Sequence, residues 1–383
     1  MIPEITLAGV MRSLRSLRLG TLALLVLGGC SDDAETSTGG EGGNVGTSSN
    51  GPAGSTGTMP STSNASGSTG NTTGAGGSGV SGDVTLTGRG FGENPGFAPL
   101  RFLDFCDVPD GATWAEAGGD SINQQADDFG HGTATAEVTN ADGLPTGCGS
   151  WEKHVLGDLA NDGSNSDGPF HHEQLDIPPT DAITVFKHVK IEHVAGLDAF
   201  NNPGAQYKGT RVGVATDALY QSTPRVAGSA FTSDGETGYF APHWWRQGGD
   251  ETVTGGGSLD IYDGAWRGTF MQGRLNSADG VADALYREWW AGTYQADTSD
   301  LDLRDDMNLQ WRGVQINPGL ANAYGSTGEW IVRHARVVVL DGLAWVAFGN
   351  AATFSQCTDL LAVEPTSWAD NQISVNTRGA IPD

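Results

Sequence analysis

The chain has 383 residues, with 46 Asp or Glu against 20 Lys or Arg, 58 Gly, and a formal charge of −26 at neutral pH. So large an anionic excess excludes general electrostatic affinity for nucleic acid or for an anionic lipid surface. The composition divides into a polar N-terminal stretch and about 300 residues of globular character, enough for one large β domain with or without a smaller companion.

Arg12, Arg15 and Arg18 form a basic segment, followed by an apolar run over residues 19–27 that is too short to cross a bilayer. Met11 offers a more typical start than Met1. The run closes on Leu27-Gly28-Gly29-Cys30. A Leu three residues before a Cys, with two small residues between them, resembles the lipobox of bacterial lipoproteins. The resemblance implies a signal peptide over 1–29, cleavage before Cys30 and acylation of Cys30. Ser31 is not an inner-membrane retention signal, so the expectation is an outer-membrane or cell-surface protein held by lipid.

Residues 30–82 hold Gly, Ser, Thr and Asn, with no Lys or Arg from Ser31 to Gly88. Such a segment cannot bury enough apolar surface to offset its ordering entropy and reads as a disordered tether. Its r.m.s. reach would be roughly 40 Å.

From Asp83 onward the sequence is written in strands. Residues 84–87, 182–194, 211–214, 259–262, 284–290, 309–316 and 330–340 are rich in Val, Ile, Trp, Tyr and Phe, and Gly, Asn and Asp separate them. No segment keeps a 3.6-residue apolar period for three turns. The expected class is all-β, a jelly-roll sandwich. Cys106, Cys148 and Cys357 allow one disulfide and leave one thiol. Cys106 with Cys148 is preferred, and Cys106 with Cys357 stays open. Zinc-type Cys/His spacing is absent.

Two further resemblances refine the architecture. Val84-Thr85-Leu86-Thr87-Gly88-Arg89-Gly90-Phe91-Gly92 resembles the opening of an IPT/TIG domain, a small immunoglobulin-like sandwich. Pro365-Thr366-Ser367-Trp368-Ala369-Asp370-Asn371-Gln372-Ile373-Ser374-Val375 is similar to that family's closing strands. The resemblance implies a small sandwich from 83–99 and 341–383, interrupted by a jelly roll over 100–340. In the middle, Trp266-Arg267-Gly268-Thr269-Phe270, Leu275-Asn276-Ser277-Ala278-Asp279-Gly280 and Trp289-Trp290-Ala291-Gly292 are similar to a strand pair of concanavalin A-like jelly rolls. Bacterial polysaccharide lyases of the alginate and glucuronan type share that pattern. The paired Tyr of the lyases is not matched at Gly238-Tyr239-Phe240-Ala241-Pro242-His243-Trp244-Trp245-Arg246.

Chemistry concentrates in the cations. All four lysines, Lys153, Lys187, Lys190 and Lys208, share one window with His154, His171, His172, His188 and His193. Alternation over 184–194 places Phe186, His188, Lys190 and Glu192 on one face, suited to a groove. Ile183, Val185, Val189 and Ile191 take the other, inward face, with Lys187 among them and expected near a strand end. A groove for an acidic sugar polymer would use Lys187, Lys190, Arg211, Arg246 and Arg267 against carboxylates and Trp245 against a sugar face. Were it a lyase, Lys208, His188, Tyr239 and His243 are the catalytic candidates, Lys208 because Gln206-Tyr207-Lys208-Gly209 resembles a segment of such enzymes. A solvated polar strand face is the competing account of the same residues.

No cofactor is expected. Residues 161–168 are rich in oxygen ligands but miss the spacing of an EF-hand loop, leaving a structural calcium as an option. His171-His172-Glu173 is a weak metal candidate, because adjacent strand residues face opposite ways. The paired-carboxylate strand of laminarinase-like jelly rolls, a Gly-x-Ser-x-Gly elbow and a P-loop do not occur. Three readings stay open: a surface lipoprotein that binds an acidic polysaccharide, a lyase acting by β-elimination on a uronate polymer, and a non-catalytic structural or adhesion protein.

Overall fold

Alternating apolar residues and Gly-rich turns produce a chain of strands, with two short 3-10 turns at Phe105–Asp107 and Phe354–Gln356. The computed structural model describes residues 23–27, 68–69, 83–88, 91, 99–125, 133–140, 148–156, 170–193, 206–215, 225–233, 238–245, 251–253, 264–291, 293–321 and 329–377. Several of these strands are described by backbone pairing alone. In chain order they are β1 (Ala23–Leu27), β2 (Ser68–Thr69), β3 (Asp83–Thr87), β4 (Arg101–Asp104), β5 (Ser121–Gln125), β6 (Thr133–Thr139) and β7 (Ser150–Leu156). Next come β8 (Phe170–Thr180), β9 (Ala182–His193), β10 (Gln206–Ala215), β11 (Arg225–Ser233), β12 (Gly238–Trp245), β13 (Glu251–Val253) and β14 (Arg267–Arg274). The last are β15 (Ala284–Trp290), β16 (Thr293–Leu301), β17 (Gln310–Ala321), β18 (Glu329–Asp341), β19 (Trp345–Gly349), β20 (Leu360–Ala362), β21 (Glu364–Ala369) and β22 (Gln372–Asn376).

Two large antiparallel sheets form a jelly-roll sandwich. One has seven strands in the order β13-β12-β11-β10-β17-β8-β5. The other has eight, β16-β15-β14-β9-β18-β7-β6 with β4 beside β18. Their inner faces share one core. Ile183, Val185, Met271, Tyr286, Trp151, Val337 and Val339 come from the eight-stranded sheet, and Leu175, Val212, Trp311, Val314 and Ile316 from the seven-stranded one. Side chains two apart on a strand share a face, so the expected inward set of β9 does pack inward.

The outer face of the eight-stranded sheet is covered in turn. Phe186, Phe270 and Val338 pack against Trp345, Ala347, Leu360 and Leu361. Gly268 permits this close approach, since a Cβ there would collide with the Leu360 carbonyl oxygen. On β19 the alternate residues Val346 and Phe348 turn the other way, toward Leu86, Phe91, Ile373 and Val375. β19 is therefore buried on both faces.

Its partners in the plane of its sheet are β20 and β1, with Ala23 opposite Gly349 and Leu27 opposite Trp345. Residues 23–27 of the apolar run thus lie along β19 as a strand. A four-stranded sheet, β2-β3-β22-β21, closes the last layer. In it Leu86 lies opposite Ile373 and Val84 opposite Val375, so segments from the two ends of the globular region pair directly. Cys106 and Cys148 are joined by a disulfide, and Cys357 is free and buried. Among the described residues, no helix is long and apolar enough to cross a membrane.

Candidate functional site

Val212, Val314 and Leu175 point into the core. Their chain neighbours Arg211, Gln315 and Gln174 therefore lie on the opposite, outer face of the seven-stranded sheet. The register aligns them. Arg211 is opposite Gln315, which is opposite Gln174, which is opposite Ser121. On the other flank Arg211 is opposite Gly228, and Gly228 is opposite His243. One cross-strand row thus runs His243, Gly228, Arg211, Gln315, Gln174, Ser121.

A bulge extends the same face. Lys208 pairs with Ala230 and Thr210 with Ser229, so Gly209 is the extra residue. In a regular strand Lys208 and Arg211, three apart, would fall on opposite faces. The inserted residue brings them to the same one. Lys208 then stands in register with Ala230 and Ala241. β12 pairs with β11 without a register shift, so Tyr239, Ala241, His243 and Trp245 share this face. In the register Gly228, Ala230 and Ala241 stand among these positions.

Arg211, Gln315 and Gln174 are only 6%, 4% and 4% exposed. Gln174 Oε1 accepts a hydrogen bond from Ser121 Oγ at 3.0 Å. Its Nε2 is buried without a hydrogen-bond partner. A buried unmet donor costs about 1–3 kcal/mol, which marks Gln174 as a group set toward an acceptor. Gln174 and Gln315 were not among the sequence candidates. The available signal was a polar residue between apolar neighbours on a core strand, Val314-Gln315-Ile316.

The other sequence candidates lie elsewhere. Lys187 is in the middle of β9, not near a strand end, and points into the sandwich, 4% exposed. Its Nζ donates to the Gly209 carbonyl at 2.6 Å. An interior lysine is removed from any groove by the two sheets around it, so it is not placed to touch substrate. Burial pushes its ammonium down to about 7, against the pull of Glu288 and Glu173 and with the push of Lys153. Lys153 is also buried, is held below its usual range by desolvation, and pairs with Glu173 at 3.2 Å. Trp151 Nε1 donates to Glu173, and Tyr286 donates to Glu288.

His188 is 1% exposed and faces the covering strands instead of an open groove. Its Nε2 lies 2.8 Å from Asp359, and its ring stacks on Trp266 at 5.3 Å. The face expected to line a groove is occupied there by β19, β20 and the loop carrying Asp359. Lys190 pairs with Glu192 at 2.9 Å, and Arg333 bridges Glu152 and Glu192, which satisfies the charge of this face internally. Arg267 opens β14 opposite Val189, in the eight-stranded sheet.

The candidates therefore separate into two groups. Lys208, Arg211, Tyr239, His243 and Trp245 share the outer face of the seven-stranded sheet, while Lys187, His188, Lys190 and Arg267 belong to the other sheet. Arg246, Cys30 and residues 161–168 lie outside the described residues, as does the tether apart from β2. Glu173 of the His171-His172-Glu173 run is engaged by Lys153. Among the described residues no cluster of three or more His, Cys, Asp or Glu could hold a metal.

No family model matches the chain, and no curated protein matches it. Solved structures of similar chain path exist. An endo-β-1,4-glucuronan lyase from the fungus Trichoderma reesei is 10% identical over 63% of this chain and 95% of its own, with a TM-score of 0.43. An alginate lyase from Chlorella virus is 12% identical over 63% and 99%, at 0.42. The receptor-binding domain of botulinum neurotoxin type G is 11% identical over 64% and 48%, at 0.34. At such identities a functional residue must be argued from this chain's own geometry.

Proposed function

We propose that the outer face of the seven-stranded sheet binds an acidic extracellular polysaccharide. The observation that carries this reading is the row His243, Gly228, Arg211, Gln315, Gln174. A guanidinium and two carboxamides are planar donors suited to a carboxylate, and Lys208 adds a further cation in an otherwise anionic protein. The small residues between β10 and β12 suit a sugar ring, and Trp245 and Tyr239 supply aromatic positions along it. Acylated at Cys30, the chain would present this face at the cell surface on its tether.

The test is affinity electrophoresis of the full chain through gels containing alginate, glucuronan or a neutral glucan. Retardation by a uronate polymer, weakened about tenfold in R211A, is expected for loss of a charge-assisted pair. No retardation by any uronate polymer would leave the structural or adhesion reading.

The position of His243 favours a second reading, β-elimination. His243 and Arg211 stand two strands apart, about 10 Å between backbones, with only Gly228 between them. His243 would take the proton next to a carboxylate neutralised by Arg211 and the carboxamides. The electron pair would form the new double bond as the glycosidic C–O bond breaks, and the leaving oxygen would take a proton from water or from the protonated His243. Tyr239 lies about 13 Å along β12 from His243, so it would serve a neighbouring sugar and not the same bond. Ultraviolet absorbance of an unsaturated uronate, present in the wild type and lost in H243A, would establish this reading. Binding with no such product would confine the protein to the first.

A further inference from the structure

We propose that Lys187 is a positioning residue for this face: its hydrogen bond to the Gly209 carbonyl holds, from inside the sandwich, the bulge that brings Lys208 and Arg211 to one side. The inference rests on the polysaccharide reading for its purpose, though not for its geometry.

A bulge leaves one residue out of the ladder, and its carbonyl needs another partner. Gly209 is that residue, flanked by the register shift between Lys208 and Thr210 on both neighbouring strands. Lys187 Nζ reaches across from the opposite sheet and donates to its oxygen at 2.6 Å. The contact is buried and competes with no water. A lysine kept in a sandwich interior is costly, and an apolar residue there would leave the Gly209 carbonyl unmet. Loss of the bulge would shift the register from Gly209 to the start of β10 and turn Lys208 to the inner face.

The groups around Lys187 come from several strands: Glu288 and Tyr286 on β15, Glu173 on β8, Lys153 on β7, and His334 on β18, which burial and the lysines hold well below the usual histidine range. Thr269 of β14 lies opposite Lys187 in register. Loss of the Lys187 charge above about pH 7 turns a charge-assisted hydrogen bond into a weaker neutral one.

The test compares wild type, Lys187→Met and Arg211→Ala in the uronate gels from pH 6 to pH 8.5. Lys187→Met, which cannot donate, is expected to lose affinity about tenfold at pH 6 while keeping its circular dichroism spectrum. The wild-type affinity is expected to fall across pH 7 by more than that of Lys187→Met, with His243 present in both. Wild-type affinity and pH profile in Lys187→Met, with Arg211→Ala impaired, would overturn the positioning role.

Failure of the wild type to bind any uronate polymer would instead sink the polysaccharide reading. The bulge clamp is then judged by hydrogen exchange in the wild type, which also serves if Lys187→Met does not fold. Amides of Lys208 to Val212 should lose protection between pH 6 and pH 8.5, beyond the intrinsic rate change, relative to Val314 to Ile316. Equal behaviour of the two segments would overturn the clamp.

Discussion

Lys187 and Lys153 put two amines in an interior built mainly of Val, Ile and Trp, and their titration has a consequence for stability. Burial lowers Lys187 to about 7 in the folded chain, against 10.5 for a lysine in water. Below pH 7 both folded and unfolded chains hold the proton, and the folded state carries a buried charge. Between pH 7 and 10.5 the unfolded chain binds a proton that the folded chain has released, so stability rises with pH in that window. Lys153 is shifted in the same direction by desolvation. Urea unfolding at pH 7 and pH 9 should therefore show wild type gaining on Lys187→Met, by at most about 1.4 kcal/mol per pH unit. A stability difference that does not change with pH would mean that Lys187 is neutral, or still charged, throughout the range.

β14 and β20 test the layered packing at the level of elements. A methyl group at Gly268 would fall against the Leu360 carbonyl, a backbone atom that cannot rotate away. Gly268→Ala is expected to destabilise by about 1–3 kcal/mol, the usual cost of overpacking. It should also speed the reaction of Cys357, buried in the same cluster, with a thiol reagent. Unchanged urea midpoint and thiol reactivity would show that β20 does not dock on β14 as described.

The strand pattern of β9 was legible because Ile183, Val185, Val189 and Ile191 fall on one face, with Thr184, His188, Lys190 and Glu192 on the other. Which of its two faces stayed open was not, because the cover over Phe186 and His188 comes from Trp345 and Asp359, about 160 to 170 residues later. The face around Arg211 was legible only in part. Lys208 and Arg211 stand out as cations, but the single extra residue at Gly209 that aligns them leaves no mark in composition. Gln174 and Gln315 carry no charge to draw notice, and Tyr239 and His243, which fall in one short segment of sequence, are separated by the rise of the strand.

For the whole molecule, two features can be tested, the proposed anchor at Cys30 and the four-stranded sheet. If Cys30 is acylated, Cys30→Ser should move the protein from the membrane fraction to the soluble one. Unchanged fractionation would refute the anchor. The four-stranded sheet is built from distant segments. Val84 lies opposite Val375, and the side chains of Thr85 and Ser374 meet at 3.3 Å across 289 positions of sequence. β19, which carries this sheet on one face and the sandwich on the other, also lies late in the chain.

This connectivity orders events in time. During synthesis from the N-terminal end, β3 has no β22 to pair with until nearly the whole chain has emerged. Contacts of such long sequence separation form slowly. The outer layers must therefore close last, and a nascent chain still lacking β19 to β22 leaves the outer face of β9, β14 and β18 uncovered and sticky. That open interval is a hazard for aggregation. Were the chain exported as proposed, it would equally be an advantage, since a fold that cannot finish early stays threadable until it has crossed.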